Sequence, residues 1–203
     1  MSTGSNRMPG CGTDFNIPGF KITDLANVKR KSKMKAKFEA AGVPCAYGRV
    51  CRELSEAQAL AEETGFPLVA KPDIGVGAYK TYKINNPAEL EAFFSARPTV
   101  DYILEEFVKG DIQTFDGLVN QDGQIVFSSS MEYSAGVMDL VNEQLDFNYY
   151  ITSRARYRWS WSRWAASWWR STGCASVSSI LSFSVRLKAK SLAWKSICAH
   201  RAD

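Results

Sequence analysis

The stretch Phe66 to Ala78, FPLVAKPDIGVGA, constrains the fold of this chain more than any other. Its apolar run from Pro67 to Ala70 has the length of a buried strand, and Lys71 stands at the end of that run. A loop with Gly75 and Gly77 follows at once. The pattern predicts a buried strand, a lysine ammonium fixed at its end, and a flexible glycine loop.

This arrangement is typical of a site for a phosphate group. A lysine presents a compact point charge to a phosphate oxygen, and glycines let backbone N–H groups approach an anion closely. The stretch has neither the Gly-Lys-Ser/Thr ending of a P-loop nor a GxGxxG sequence. An ordinary strand followed by a glycine turn gives the same letters, so the stretch alone leaves the function open.

A second informative stretch lies about thirty residues downstream. Asp101 to Val108 reads DYILEEFV, and a further strand pattern runs from Gln113 to Val119. An apolar strand that ends in two glutamates and an aromatic residue supplies a carboxylate, backbone hydrogen-bonding groups and apolar walls. Those groups suit an adenine ring.

Helix signals separate these strands. Thr23 or Asp24 can cap a helix whose pattern runs to about Ala41, and Ser55 with Gln58 predicts a capping box at the start of another helix. Asn86, followed by proline, predicts the start of a third helix. With the strands between them, the elements follow a β-α-β-β-α-β order.

Together, these stretches and the upstream Lys31-x-x-Met34, followed by AGVP at 41–44, resemble the ATP-grasp superfamily. The resemblance covers residues 21–150. Similar proteins include biotin carboxylase, D-alanine ligase and many carboxylate–amine ligases. The resemblance implies an α+β chain with the ATP-grasp fold, in which two α+β subdomains clamp ATP between them.

The same resemblance implies a division of the chain. An extended or disordered lead over 1–20 precedes the N-terminal subdomain at 21–104, and the C-terminal subdomain begins at 105–151. Relatives carry a further domain before this point, so we expect the sequence to be a fragment. We also expect the C-terminal part to be incomplete.

The resemblance further implies a nucleotide site. Lys31 and Lys71 correspond to the two lysines that reach the ATP phosphates, and Glu105 corresponds to the carboxylate near the adenine amino group. The mobile loop over the phosphates corresponds to 75–78. The implied cofactor-binding residues are Lys31, Lys71, Gly75, Gly77, Ala78, Glu105, Glu106, Phe107, Val108 and Asp111.

The base and the ribose have their own implied contacts. The backbones of Glu106 and Val108 correspond to the hinge that contacts adenine, and Phe107 corresponds to a residue packed beside the ring. The family often has a carboxylate for the ribose two residues after the hinge glycine, where this chain has Ile112. Asp111 is the substitute from the next position.

Each of these residues also has an ordinary interpretation. Lys31 lies in the run KRKSKMK, which is typical of a solvated helix face. Glu105 and Glu106 fit surface charges at a strand end, and Phe107 fits a plain core position. Their joint occurrence in the order of the family favours nucleotide binding.

The composition changes abruptly after Ile151. Ten of the 25 Lys and Arg residues lie beyond it, but only one of the 21 Asp and Glu residues does. All six tryptophans and twelve serines fall in 152–203, which contains neither Glu nor Asn. We interpret 152–203 as an aberrant basic tail with no sustained helix or strand period.

In the ATP-grasp fold this segment should supply acidic and Asn ligands for magnesium, which prefers hard oxygen donors. A shifted reading frame explains their absence from the sequence. Trp194 requires TGG and the codon of Lys195 begins AA, so the shifted codon is GAA, glutamate. Neighbouring codons permit Leu-Glu-Val-Asn, which is similar to the metal-binding signature of the family. We therefore interpret the chain as frameshifted after about residue 151.

The resulting hypothesis is an ATP-binding fragment of a carboxylate–amine or carboxylate–thiol ligase. The parent reaction would use ATP to form an acylphosphate, which an amine then attacks, so the partners would be a small carboxylate and a small amine. ATP is the expected cofactor. Mg²⁺ is expected for the family, but this chain lacks its ligands, so we assign no catalytic or metal-binding residue.

Two other functions remain open. Arginines interleaved with tryptophans in the tail also fit nucleic-acid binding, through phosphate neutralisation and base stacking. A non-catalytic ATP sensor is the other alternative. The five cysteines contain no CxxC pair and suit a reducing cytoplasm. No apolar run reaches the 18 residues of a membrane span.

Overall fold

The computed structural model describes residues 14–15, 25–75, 80–97, 99–120, 124–133, 148–152 and 179–187. These residues form two four-stranded sheets and four helices. The helices are α1 (Leu25–Lys29), α2 (Lys31–Ala40), α3 (Leu54–Thr64) and α4 (Pro87–Ala96). The strands are β1 (Gly48–Val50), β2 (Leu68–Pro72), β3 (Tyr82–Ile84), β4 (Tyr102–Glu106), β5 (Asp111–Val119), β6 (Ile125–Tyr133), β7 (Tyr149–Thr152) and β8 (Ser179–Leu187).

The first sheet has the strand order β1-β4-β2-β3, with every neighbouring pair antiparallel. β2 and β4 lie at its centre, and the first four residues of each are buried. Helices α3 and α4 connect the strands in the predicted β-α-β-β-α-β order. The apolar run before Lys71 is therefore the buried strand that the sequence predicts.

The core of this unit lies between the sheet and helices α3 and α4. Fully buried side chains from the helices meet those of the central strands, and two rings, Phe93 and Tyr102, pack edge to face at 5.1 Å. Burial of such apolar groups is the main favourable term in folding. The buried members of this cluster are Cys51, Ala57, Leu60, Leu68, Ala70, Ile84, Leu90, Phe93, Tyr102 and Leu104.

The helix ends match the sequence in part. Asn86 caps α4 by accepting a hydrogen bond from the backbone N–H of Glu89, as predicted. The capping box of α3 is formed by Glu53 and Glu56, two residues earlier than the predicted one. Two glutamates form the box, so the prediction of a capping box at Ser55 and Gln58 is wrong.

Strand β1 approaches β4 closely at Gly48. A Cβ atom built on Gly48 would lie 2.1 Å from the carbonyl oxygen of Leu104. Only glycine leaves room for this contact. The close approach holds β1 against the end of β4, where the candidate site begins.

The second sheet has the order β7-β6-β5-β8, again fully antiparallel. β5, which covers the strand pattern at Gln113 to Val119, forms an antiparallel hairpin with β6, and the turn at 121–123 lies outside the described residues. β8 pairs with β5 over nine residues, from Ser179 with Val119 to Leu187 with Asp111.

Beyond Thr152 the structure describes residues 179–187 alone, and these form β8. That 152–203 has no sustained period stays a prediction. Ser182 to Leu187 alternates polar and apolar residues, which is the pattern of a strand. No helix in the described part of the chain is long and apolar enough to cross a membrane.

Candidate nucleotide-binding site

The candidate site lies where the central strands β2 and β4 end. Val69 is the register partner of Glu105, and Lys71 lies two residues beyond Val69 on the same face of the sheet. The Lys71 ammonium contacts Oε2 of Glu105, and both residues are only 6% exposed. The structure therefore brings the predicted phosphate lysine and the predicted adenine carboxylate into direct contact.

A third charged residue, Lys35 of α2, completes this group. Its Nζ lies 3.1 Å from Oε1 of Glu105 and also donates to the carbonyl of Ala46. Lys35 is 7% exposed. Glu105 thus lies between two buried lysines, one on each carboxylate oxygen.

The charge of this triad is unbalanced. Lys35, Lys71 and Glu105 together carry two ammonium groups and one carboxylate, and no other carboxylate among the described residues forms an ion pair with either lysine. Burying charge is costly unless it is paired. A net positive charge in a buried place therefore favours an anionic ligand.

Lys31 lies at the start of α2 and faces the chain that follows β2. Its Nζ donates to the carbonyls of Pro72, at 2.7 Å, and Gly75, at 3.0 Å. Lys31 thereby contacts the segment that directly follows Lys71. Within the KRKSKMK run, Lys33 is exposed, Lys31 is half-buried and Lys35 is buried.

Asp73 fixes the start of α2 from another element. Its carboxylate accepts a hydrogen bond from the backbone N–H of Ser32 at 2.8 Å and pairs with Arg30 at 3.2 Å. The backbone N–H of Lys31 also donates to the Asp73 carbonyl. A carboxylate at a helix N-terminus satisfies free N–H groups and complements the helix dipole. Asp73 therefore holds the start of α2, which includes Lys31, against the end of β2 through hydrogen bonds and an ion pair.

The glycine loop is described only at its first residues. Gly75 has φ of 151°, a conformation that side chains disfavour. Gly77 and Ala78 lie outside the described residues. Their assignment to a phosphate-covering loop stays a prediction.

At the hinge after β4, a side-chain hydrogen bond replaces one backbone hydrogen bond between Tyr47 and Glu106. The backbone N–H of Glu106 donates to the Tyr47 carbonyl at 2.9 Å. The Tyr47 N–H donates at 2.8 Å to the side-chain Oε1 of Glu106. In a regular antiparallel pair that N–H would bond to the Glu106 carbonyl. The carboxylate thus takes over the role of its own backbone carbonyl, which suits a hinge that offers this carbonyl to a ligand.

The other hinge residues have varied surroundings. The N–H of Phe107 donates to the Pro67 carbonyl, and the Lys83 ammonium lies 4.5 Å from the centre of the Phe107 ring. Val108 is buried. Ile112 is also buried, so the position where the family often has a ribose carboxylate belongs to the core here.

Asp111 begins β5, and its Cα is paired with that of Leu187. Its proposed contact with the ribose remains a prediction.

Cys45 lies beside the triad. Burial raises the pKa of its thiol, the nearby Lys35 lowers it, and the negative charges of Glu39, Glu105 and Glu106 raise it further. The thiol is therefore held in its neutral form at neutral pH, and Cys45 is a poor nucleophile.

The described residues contain no cluster of three His, Cys, Asp or Glu side chains that could hold a metal ion. The positions from which the family would supply acidic ligands fall in 152–203, where the sequence has a single acidic residue, Asp203.

Sequence reasoning missed Lys35 and Asp73. Lys35 lies four residues after Lys31, on the same side of α2 and between the buried Met34 and Phe38. Asp73 lies two residues after Lys71, which places it on the same face of an extended chain. Both spacings are visible in the sequence, but neither distinguishes these charges from exposed neighbours.

No model of a protein family matches the sequence. An L-arginine-specific L-amino acid ligase of Bacillus subtilis is 26% identical over 132 residues, which make up 61% of this chain and 32% of the ligase. The chain therefore spans about a third of that relative.

Solved structures resemble the fold of this chain over most of its length. The VanG D-Ala:D-Ser ligase of Enterococcus faecalis superposes with a TM-score of 0.72 at 16% identity, over 95% of this chain and 59% of the ligase. The biotin carboxylase domain of Hydrogenobacter thermophilus 2-oxoglutarate carboxylase, solved in complex with MgADP, ADP and bicarbonate, superposes with a TM-score of 0.70 at 16% identity. The match covers 98% of this chain and 46% of that domain. With the charged triad at the strand ends, these likenesses show that the chain has the fold of the ATP-grasp ligases, incomplete relative to them.

Proposed function

We propose that this chain binds ATP at the ends of β2 and β4. The observation that carries the proposal is the buried triad of Lys35, Glu105 and Lys71. A bound anion would neutralise its net positive charge. The structural neighbour from Hydrogenobacter thermophilus holds MgADP and ADP, which supports a nucleotide as that anion.

Each part of ATP has a matching group. Among the described residues the Lys71 ammonium forms an ion pair with Glu105 alone, and its other N–H donors would bind phosphate oxygens. Lys31 reaches the segment after β2 and would contact the outer phosphates once its bonds to Pro72 and Gly75 exchange. The hinge carbonyl of Glu106 and the carboxylate of Glu105 would accept from the adenine amino group.

The parent activity that we propose is ATP-dependent ligation of a small carboxylate to an amine. The similar proteins include an amino acid ligase and a D-Ala:D-Ser ligase. Formation of an acylphosphate requires that charge on the transferred phosphoryl group be neutralised. The lysines can supply part of this neutralisation and orient the phosphates.

We propose that this chain binds ATP without ligating, because 152–203, where the family would supply its magnesium ligands, contains a single acidic residue. The same composition supports a shifted frame after about residue 151. In the shifted frame the codons of Ser178 to Ser184 permit Phe-His-Phe-Glu-Phe-Phe, a strand pattern that coincides with β8. Restoring the frame by one nucleotide should add magnesium-dependent ATP turnover, whereas the chain with the present sequence should release no phosphate above background.

The binding proposal is tested by calorimetric titration of the purified chain with ATP. The matched variants are Lys71→Met, which removes a buried ammonium, and Lys33→Met, which removes an exposed one from α2. ATP binding that Lys71→Met weakens at least about tenfold, and that Lys33→Met leaves unchanged, supports the site. No ATP binding, or equal loss in both variants, contradicts it.

A further inference from the structure

Tyr47 and Glu106 form an irregular pair at the end of the first sheet. Tyr47 directly precedes β1, and the register of Gly48 with Glu105 places it opposite Glu106. The Glu106 N–H donates to the Tyr47 carbonyl at 2.9 Å, as in a regular antiparallel pair. The return bond differs, because the Tyr47 N–H donates at 2.8 Å to Oε1 of the Glu106 side chain. Tyr47 therefore bonds to the side chain of Glu106 in place of its carbonyl.

The charge of the Glu106 carboxylate explains this exchange. A hydrogen bond to an ionised acceptor is about twice as strong as one between neutral groups. Polar side chains that accept a backbone N–H in this way compete with the hydrogen bonds of regular secondary structure. The carboxylate thus holds the pair in what we call the open arrangement, in which the Glu106 carbonyl is left to other donors. In the closed arrangement the Tyr47 N–H would bond to that carbonyl.

Tyr47 is held in place by contacts that do not involve Glu106. The Tyr47 hydroxyl donates to Oε2 of Glu63 at 2.8 Å, and Arg49 donates to both oxygens of the same carboxylate. Glu63 lies near the end of α3. Removing the Glu106 carboxylate therefore leaves Tyr47 where it is, and the acceptor that the register offers to its N–H is the Glu106 carbonyl. The pair would then close.

We propose that the Glu106 side chain is a positioning residue that keeps the hinge carbonyl open to a ligand, and that its removal closes the hinge against Tyr47. The inference deepens the proposed ATP site and rests on it. A hydrogen-bond donor of a bound base, such as the amino group of adenine, needs the open arrangement. The apparent affinity of such a ligand is proportional to the fraction of chains that are open.

The arrangement acts on the base and leaves the phosphates alone. In the proposed site the phosphates are bound by Lys31 and Lys71, at the start of α2 and near the end of β2. Closing the pair should therefore weaken a nucleotide whose base donates to the hinge, and should hardly affect an analogue without that donor. A side chain that only stabilised the fold would affect both nucleotides alike.

Nuclear magnetic resonance of the ligand-free chain tests the open arrangement directly. A scalar coupling across a hydrogen bond, from the Tyr47 amide nitrogen to the carbonyl carbon of residue 106, reports the closed pair. The matched variants are Glu106→Met and Glu106→Gln, since the two side chains are similar in length and only glutamine offers an oxygen to the N–H. We expect the coupling in Glu106→Met alone. Its presence in the unmodified chain, or its absence from a folded Glu106→Met, would overturn the inference.

Calorimetric titration then measures the effect on binding, with ATP and with purine riboside triphosphate, which lacks the 6-amino group. Glu106→Met should weaken ATP at least about tenfold and the analogue by less than about twofold. Glu106→Gln should recover most of the ATP affinity. Glu62→Gln, at an exposed position of α3, is the control and should bind both nucleotides as the unmodified chain does.

The outcomes separate the inference from the proposed function. A chain that binds neither nucleotide refutes the ATP site and the inference with it. Unchanged ATP binding in Glu106→Met, or loss of both nucleotides by one common factor, overturns the role of Glu106 and leaves the ATP site standing. If Glu106→Met does not fold by circular dichroism, Glu106→Ala replaces it in both measurements, and the coupling in the unmodified chain remains decisive.

Discussion

The Glu105 carboxylate lies 3.1 Å from the Lys35 ammonium and also contacts the Lys71 ammonium. It therefore joins helix α2 to the two central strands of the first sheet. The three residues come from distant parts of the sequence, and their contact depends on the whole unit being folded. This group connects the stability of the first sheet to its proposed function.

Removing the charge of Glu105 should be strongly destabilising. Glu105→Gln leaves two buried ammonium groups without a counter-charge, and loss of one partner from a buried ion pair costs about 3–5 kcal/mol. Urea unfolding measures the change. Glu62→Gln, at an exposed position of α3, should change the free energy of unfolding by less than about 0.5 kcal/mol. Equal stability of Glu105→Gln and the unmodified chain would refute the role assigned to the triad.

Asp73 should stabilise the chain and also place Lys31. Asp73→Ala removes the acceptor of the Ser32 N–H and the partner of Arg30, at a cost of about 1–2 kcal/mol, as for other helix caps. ATP affinity should fall as well, because the start of α2 is no longer held to β2. Asp101→Ala is the control, since it breaks an exposed pair with Arg52 that is worth less than about 1 kcal/mol. A larger effect of the control on ATP affinity would contradict this account.

The close approach of β1 to β4 predicts the effect of a single methyl group. In Gly48→Ala the new Cβ would meet the Leu104 carbonyl at 2.1 Å, so β1 must move away. We expect a loss of about 1–3 kcal/mol in the free energy of unfolding, as for other overpacked sites. Thermal or urea unfolding would show it. A variant as stable as the unmodified chain would mean that β1 does not pack in this register.

The buried thiol of Cys51 should produce a decline in stability at alkaline pH. Burial raises the pKa of this thiol from 9.0 to about 11. Between these values the unfolded chain loses the proton and the folded chain keeps it, so the free energy of unfolding decreases as pH rises. The decline is at most about 3 kcal/mol.

Urea unfolding at several pH values between 8 and 11 tests this prediction, with Cys51→Ala as the comparison. The variant lacks the titrating thiol, so the difference between the two proteins should shrink steadily over this range. Parallel profiles would show that the Cys51 thiol titrates alike in the folded and unfolded chain.

The sequence predicts the first sheet well because its signals are local. The run before Lys71 and the run before Glu105 are continuous apolar stretches of strand length, and both are central buried strands. Asn86 before a proline fixes the start of α4 for the same reason. The ATP-grasp resemblance then supplies the arrangement of these elements, which local patterns do not contain.

The site is predicted only in part, since its remaining features arise from contacts between distant residues. Nothing near Lys35 or Asp73 in the sequence reveals that the former meets Glu105 and that the latter caps α2. The helical pattern from Asp24 to Ala41 likewise does not reveal the break at Arg30, whose backbone forms a bridge with Ile74. β8 carried a readable alternation, but the unusual composition around it concealed the strand.

Hydrogen–deuterium exchange with and without ATP tests the central claim most directly, because it reports where a nucleotide binds. We expect ATP to slow exchange at 71–75 and at 105–108, with little change in α3 and α4. Such a footprint would place the nucleotide between the lysines and the hinge. Protection confined to other segments, such as β8, or no protection at saturating ATP would contradict the claim that this chain carries an ATP site.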